Sequence, residues 1–142
     1  MIIVLGSDGQ LGNSLKKTKI KNIKVLFLNK IKCDITKNRN VSKIIQKYKP
    51  SYVINSAAFT NVENAEKKKK KSFLINSQSL INLSKLSNKY KFKLIHISTD
   101  YVFDGIKKTK YSENDKTNPI SWYGYTKLEG EKNIIQNSKQ YI

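Results

Sequence analysis

At 142 residues, 38% of them hydrophobic, the chain can bury one core but not two. No apolar run approaches the roughly 18 residues of a membrane span, and no basic stretch leading into an apolar one marks a secretory leader, so a cytoplasmic, non-membrane protein is expected. The net charge of +18 does not argue for nucleic acid, because Arg39 is the single arginine and base readers rely on its planar fork.

Lysine, asparagine and isoleucine are abundant together, the bias that AT-rich codons produce. The run Lys67–Lys71 is accordingly read as solvated surface. A positive field can still draw in a substrate that carries a diphosphate. Cys33 has no second cysteine to pair with, and with His96 the lone histidine, no metal is expected.

In chain order, Met1–Leu5 is an unbroken apolar run stopped by Gly6, as in a strand buried on both faces. A glycine-rich turn and a short helix through Leu15 follow, then a second strand over Lys24–Leu28. Val41, Ile44, Ile45 and Tyr48 recur at helical spacing, and Pro50 closes that helix. Tyr52–Asn55 reads as a third strand. Phe73, Leu74, Leu80, Leu83 and Leu86 mark a long helix to about Tyr90. Lys93–Ile97 is a fourth strand, followed by a loop and a last helix from near Ser121 to about Asn137. This alternation predicts an α/β fold: a doubly wound parallel sheet, without repeats or linkers.

Gly6-x-x-Gly9-x-x-Gly12 lies between the first strand and the first helix. Glycine permits a tight turn and close approach of a pyrophosphate, and the helix start offers free N–H groups and partial positive charge. The context of strand, turn and helix is the one a dinucleotide site requires. At the end of the second strand, an acidic residue would bind the adenosine ribose and favour NADH. Asn29 and Lys30 stand there instead, which permits NADPH. Asp34 is either within reach of the adenine or a turn-capping aspartate.

Tyr123 and Lys127 stand four apart, on one face of the last helix. A neighbouring ammonium favours phenolate, which makes Tyr123 a usable proton donor to a carbonyl. Tyr125 has Glu129 at the same spacing and is passed over. The fourth strand ends in Ser98-Thr99-Asp100, where Thr99 can hydrogen-bond a substrate carbonyl beyond the carboxyl edge of the sheet. His96 is assigned to packing. Asn76, on the long helix, either orders water or backbone near the site or takes a surface or capping role.

These residues resemble the extended short-chain dehydrogenase/reductase superfamily and, within it, the dTDP-4-dehydrorhamnose reductases. The resemblance is carried by residues 6–12, 55–66, 98–105 and 123–131, with Ser98-Thr99-Asp100-Tyr101-Val102-Phe103 the most discriminating stretch. It implies that Gly9, Gln10 and Leu11 contact the cofactor pyrophosphate and that Asp34 and Ile35 flank the adenine. Ala58, Phe59 and Thr60 would line the cofactor, and Thr99 and Asp100 would meet the substrate. Tyr123 would donate the proton, with Lys127 on the nicotinamide ribose. The implied reaction is reduction of the 4-keto group of dTDP-4-dehydro-L-rhamnose to dTDP-L-rhamnose by NADPH or NADH. Tyr101 stands where related dehydratases place a glutamate, which argues against elimination. Some family members bind magnesium through a glutamate where this chain has Ser14, so the metal is dropped.

Family members are longer, and their second half completes the sheet and the nucleotide-sugar pocket. Residues 1–142 are therefore expected to form an incomplete, truncated NAD(P)-binding Rossmann-like domain of about four strands, with a sheet face and edge left bare and lacking the C-terminal sugar-nucleotide part, the full-length parent being a candidate homodimer. The resemblance leaves two alternatives. One is a non-catalytic regulatory protein on this scaffold, similar to the regulatory subunit of methionine adenosyltransferase. The other is a different sugar-nucleotide reductase or epimerase.

Overall fold

A computed structural model describes residues 1–18 and 22–142. Its sheet has four short parallel strands: β1 (Ile2–Leu5), β2 (Val25–Leu28), β3 (Tyr52–Asn55) and β4 (Lys93–His96). They lie in the order β2-β1-β3-β4. The chain leaves β1 for β2 on one side, then returns to place β3 on the other. Side-by-side parallel strands whose connections diverge in this way open a crevice at their carboxyl ends, between β1 and β3. The predicted doubly wound α/β architecture is the one observed.

The connections are helical. They are α1 (Gln10–Lys17), α2 (Asn38–Tyr48), α3 (Val62–Lys67), α4 (Lys69–Phe73), α5 (Ser79–Tyr90) and α6 (Trp122–Asn137). A π-helical turn, Leu74–Gln78, joins α4 to α5, and a 3-10 turn, Asp100–Val102, follows β4. α2 stops at Lys49, which turns left-handed (φ 41°) because the following Pro50 disfavours a further helical residue. Ser121 caps α6, its hydroxyl accepting from the Gly124 N–H at 3.1 Å.

One core fills the space between the sheet and three of these helices. Ile3, Leu5, Val53 and Leu94 point into it from the strands. Val41 and Ile45 of α2, Leu80 and Leu83 of α5 and Ile134 of α6 meet them. The opposite residues of the sheet are less covered: Ile54 and Ile95 are half-buried.

Three details depart from expectation. α1 runs two residues past Leu15. The long helix starts at Lys69 rather than Phe73, and α3 precedes it; their buried positions are Ala65 and Ser72, which carry little hydrophobic signal. The expected bare edge at β4 is partly paired, because Gln140–Ile142 run parallel to it. Leu94 N–H donates to the Gln140 carbonyl (2.7 Å), and Ile142 N–H donates to the Leu94 carbonyl (2.8 Å). The run Lys67–Lys71 is exposed throughout, as expected, and Lys71 also lines the crevice.

Candidate active site

The glycine turn is built by contacts that leave no room for side chains at two of its three positions. Gly6 has φ +75°, and a β-carbon there would stand 2.5 Å from the Ala57 amide nitrogen. At Gly12 it would stand 2.5 Å from the Ser7 α-carbon, so this glycine lets α1 pack on the turn. Gly9 differs. Its φ of −73° suits any residue, and a β-carbon would meet only the Gly6 carbonyl at 3.4 Å, an ordinary contact. Folding therefore does not require glycine at position 9. Gly9 lines the crevice and serves as N-cap of α1 without any side-chain cap. This open cradle at a helix start fits an anionic pyrophosphate.

The crevice encloses about 380 Å³. Gly6 and Gly9 form its floor, Ile35 and Asp34 one wall, Ala58 and Phe59 the other. Lys30 and Lys71 bring two cations to it. Gln10, Leu11, Gly12, Asn29 and Thr60 lie outside this lining.

Asn29 acts through another residue. Its side-chain amide donates to the Asp8 carboxylate at 2.9 Å, and Lys16 reaches the same carboxylate at 3.0 Å. Lys16 and Asn29 hold Asp8 below the usual carboxylate range. Asp34 is a turn-capping aspartate. Its carboxylate accepts from the Thr36 N–H (3.0 Å) and hydroxyl (2.7 Å), and it also lines the crevice. Burial pushes the neighbouring Cys33 thiol up to about 11, so it stays protonated and inert.

Asn76, buried on the π-helical turn, clamps the loop after β3. Its amide donates to the Phe59 carbonyl (3.0 Å) and to Thr126 Oγ1 (3.0 Å), and its oxygen accepts from the Phe59 N–H (2.7 Å). Position 76 thus orders backbone at the crevice wall and plays no surface part.

At the end of β4 the chain presents Thr99, half-buried, as N-cap of the 3-10 turn; Thr99 Oγ1 accepts from the Tyr101 N–H at 3.3 Å. Asp100 is exposed and lines a second cavity, of about 340 Å³, with Tyr101, Phe103 and Tyr111. α6 comes against this turn so closely that a β-carbon on Gly124 would overlap the Tyr101 carbonyl. The Tyr123 ring, 8% exposed, meets the Tyr101 ring edge-on at 5.6 Å. Tyr125, 39% exposed, stacks instead on Phe73.

Lys127 is 2% exposed. Its ammonium nitrogen lies 2.5 Å from the Ile97 carbonyl and 3.3 Å from His96 Nε2. Burial lowers its pKa to about 8, against a smaller opposing pull from Glu131. His96, lowered to about 3 by burial and by Lys127, is a neutral imidazole. It is hydrogen-bonded to Lys127 and Asn55 rather than simply packed. Lys127 and Thr99 thus belong to one corner, where α6 crosses the carboxyl end of β4. Asp8, Lys71, Asn55 and Glu131 were missed by sequence reasoning. Asp8 sits inside the glycine motif, and Lys71 is masked by four lysines before it.

The chain is similar in sequence and fold to several dTDP-4-dehydrorhamnose reductases. A dTDP-4-dehydrorhamnose reductase of Aggregatibacter actinomycetemcomitans is 37% identical over 99% of this chain, which covers 49% of that protein. The crystal structure of dTDP-4-dehydrorhamnose reductase from Bacillus anthracis in complex with NADP superposes with a TM-score of 0.95. It is 33% identical, and the match covers 99% of this chain and 50% of that one. An ortholog from Clostridium acetobutylicum gives 0.94 at 38% identity, with 99% and 50% covered. The chain spans about half the length of the relatives it matches. Residues 1–142 match the family described as RmlD substrate binding domain from end to end, and the chain belongs to that family.

Proposed function

We propose that this chain is the cofactor-binding half of a reductase that uses NADPH or NADH to reduce the 4-keto group of dTDP-4-dehydro-L-rhamnose to dTDP-L-rhamnose. The observation that carries the reading is the corner at the carboxyl end of β4. There a buried lysine, four residues after a buried tyrosine, is anchored two residues before Thr99 and is linked through His96 and Asn55 to the Ala57 N–H of the glycine-floored crevice. The relatives at 33–38% identity support the substrate and the cofactor.

The crevice fits a dinucleotide on its own terms. Gly9 leaves a gap that the fold does not need, α1 starts without an acidic residue in its first turn, and Lys30 and Lys71 supply positive charge. In this reading Gly6, Gly9, Gln10 and Leu11 hold the pyrophosphate, with Gly12 seating α1 beneath it. Asp34 and Ile35 hold the adenine, Asn29 and Lys30 the adenosine ribose side, and Ala58, Phe59 and Thr60 the nicotinamide side. A reduced nicotinamide supplies the hydride when bound.

The chain's own residues do the rest. Thr99 Oγ1 hydrogen-bonds the carbonyl oxygen and, with Asp100, orients the sugar. Tyr123 transfers its phenolic proton to that oxygen as negative charge develops, forming the new hydroxyl. Lys127 positions the nicotinamide ribose and, while charged, favours the phenolate left behind. The remainder of the nucleotide-sugar pocket belongs to the half of the relatives that this chain does not match, and residues 1–142 form the cofactor domain.

The test is a pair of measurements on Tyr123→Phe in the full protein. NADPH binding, followed by fluorescence, should stay within about twofold, while turnover of dTDP-4-dehydro-L-rhamnose should fall at least about 100-fold. Turnover that survives the loss of the phenol removes Tyr123 from the chemistry.

A further inference from the structure

The hydrogen bonds around His96 define where its proton sits. Asn55 is buried at the end of β3, and its Oδ1 accepts from the Ala57 N–H at 3.2 Å. The other end of that amide, Nδ2, therefore faces His96 Nδ1, 3.1 Å away. An amide nitrogen only donates, so His96 Nδ1 is the bare, accepting nitrogen. The imidazole proton is left on Nε2, which lies 3.3 Å from Lys127 Nζ.

Two donors cannot satisfy each other. An ammonium at Lys127 would confront the Nε2–H, whereas a neutral amine can accept from it and still donate to the Ile97 carbonyl at 2.5 Å. Turning the Asn55 amide over does not relieve this, because it would set Nδ2 against the Ala57 N–H. One direction of donation satisfies every group: Asn55 to His96, His96 to Lys127, Lys127 to Ile97.

We propose that Asn55 and His96 are positioning residues for Lys127: Asn55 fixes His96 as its Nε2–H tautomer, and that N–H disfavours the ammonium and holds Lys127 ready to become an amine. The role rests on the reading of Lys127 as part of the catalytic corner. The charged groups that bear on this pair are few. Lys127 faces His96 from α6, and Glu131, one turn further along α6, faces Lys127 while its carboxylate accepts from the Ser98 hydroxyl. Burial of Lys127 acts in the same direction as the imidazole. The pair thereby lowers the pH at which Tyr123 loses its cationic neighbour, which places an alkaline limit on the reaction well below that of an ordinary lysine.

His96 is the only histidine in the sequence, so nitrogen-15 NMR of the imidazole reads it without ambiguity. In the wild-type chain at about pH 7 the ring should be neutral, with Nε2 protonated and Nδ1 bare. An Nδ1–H tautomer or an imidazolium there overturns the proposal, and this measurement needs no variant to fold. The second arm is Asn55→Asp, nearly the same shape. Its carboxylate still accepts from the Ala57 N–H but now demands a proton on His96 Nδ1, which bares Nε2 toward Lys127.

The Lys127 titration, followed through its side-chain carbon and nitrogen shifts, should then move to higher pH. The expected gain in proton affinity is about tenfold or more. An unmoved Lys127 titration in a variant whose Nδ1 has gained its proton overturns the positioning role. NADPH titration of the same samples tests the reductase reading separately. A chain that keeps the Nε2–H tautomer but binds no NADPH defeats that reading and leaves the proton arrangement standing.

Discussion

Gly130 of α6 lies so close to the backbone carbonyl of Asn76 that a β-carbon at position 130 would overlap it. The contact presses α6 onto the π-helical turn that carries the Asn76 side chain, and Asn76 in turn clamps Phe59 at the crevice wall. Gly130→Ala should separate the two elements. The expected cost is about 2–3 kcal/mol, read as a lower urea midpoint, since a packed backbone has no flexible atom to give way. Asn76→Ala leaves both Phe59 backbone groups without their partner and should cost a similar amount. If Gly130→Ala unfolds at the wild-type urea concentration, this contact does not seat α6.

The three turn glycines should respond differently to alanine. Gly6→Ala meets both a left-handed backbone and the Ala57 amide, and should cost several kcal/mol or abolish folding. Gly9→Ala meets neither. Its thermal midpoint should stay within a few degrees of wild type, while NADPH binding weakens at least about tenfold because the methyl group occupies the cradle. Equal thermal losses at both positions would show that Gly9 also serves the fold.

Lys30 and Lys71 bring positive charge to the crevice from opposite sides of the chain order. Removing either should weaken NADPH binding several-fold, most visibly at low salt, where exposed charges are least screened. Lys30→Asp should go further and favour NADH, because a carboxylate can hydrogen-bond the ribose hydroxyls and repels a 2′-phosphate. Parallel fluorescence titrations with the two cofactors check this. A Lys30→Asp protein that still prefers NADPH removes position 30 from the selection.

The buried pair at the end of β4 should imprint itself on stability as a function of pH. Lys127 has a folded pKa of about 8 against an ordinary 10.5, so the unfolded chain binds more protons between these values. Stability should therefore rise with pH from about 8 to 10.5. The Lys127 share is about 3 kcal/mol, and it should be missing from Lys127→Met. The acid side follows from His96, whose folded pKa of about 3 lies below the ordinary 6.5. Stability should fall as pH drops from 6.5 toward 3, because unfolding lets the imidazole take up its proton. Urea unfolding of wild type and Lys127→Met across this range decides the matter. Parallel curves for the two proteins on the alkaline side would show that Lys127 carries no burial penalty.

By itself the sequence determined the four strands, the order of elements and the glycine turn, because each is a local matter. A strand buried on both faces is an unbroken apolar run, and a phosphate-binding turn is a short spacing of glycines. The candidate pair Tyr123 and Lys127 was legible for the same reason, since residues four apart share a helix face. α3 and the start of α4 were hidden because they bury Ala65 and Ser72 rather than large apolar side chains. Only the tertiary structure decided that Asn29 ties down Asp8, that Lys71 enters the crevice and that Asn76 orders Phe59. It alone joined Asn55, His96 and Lys127 into one chain of hydrogen bonds. Those partners lie 17 to 41 positions apart or are masked by like neighbours. A buried polar group finds its partner through the crossing of distant elements, which neither periodicity nor a motif records.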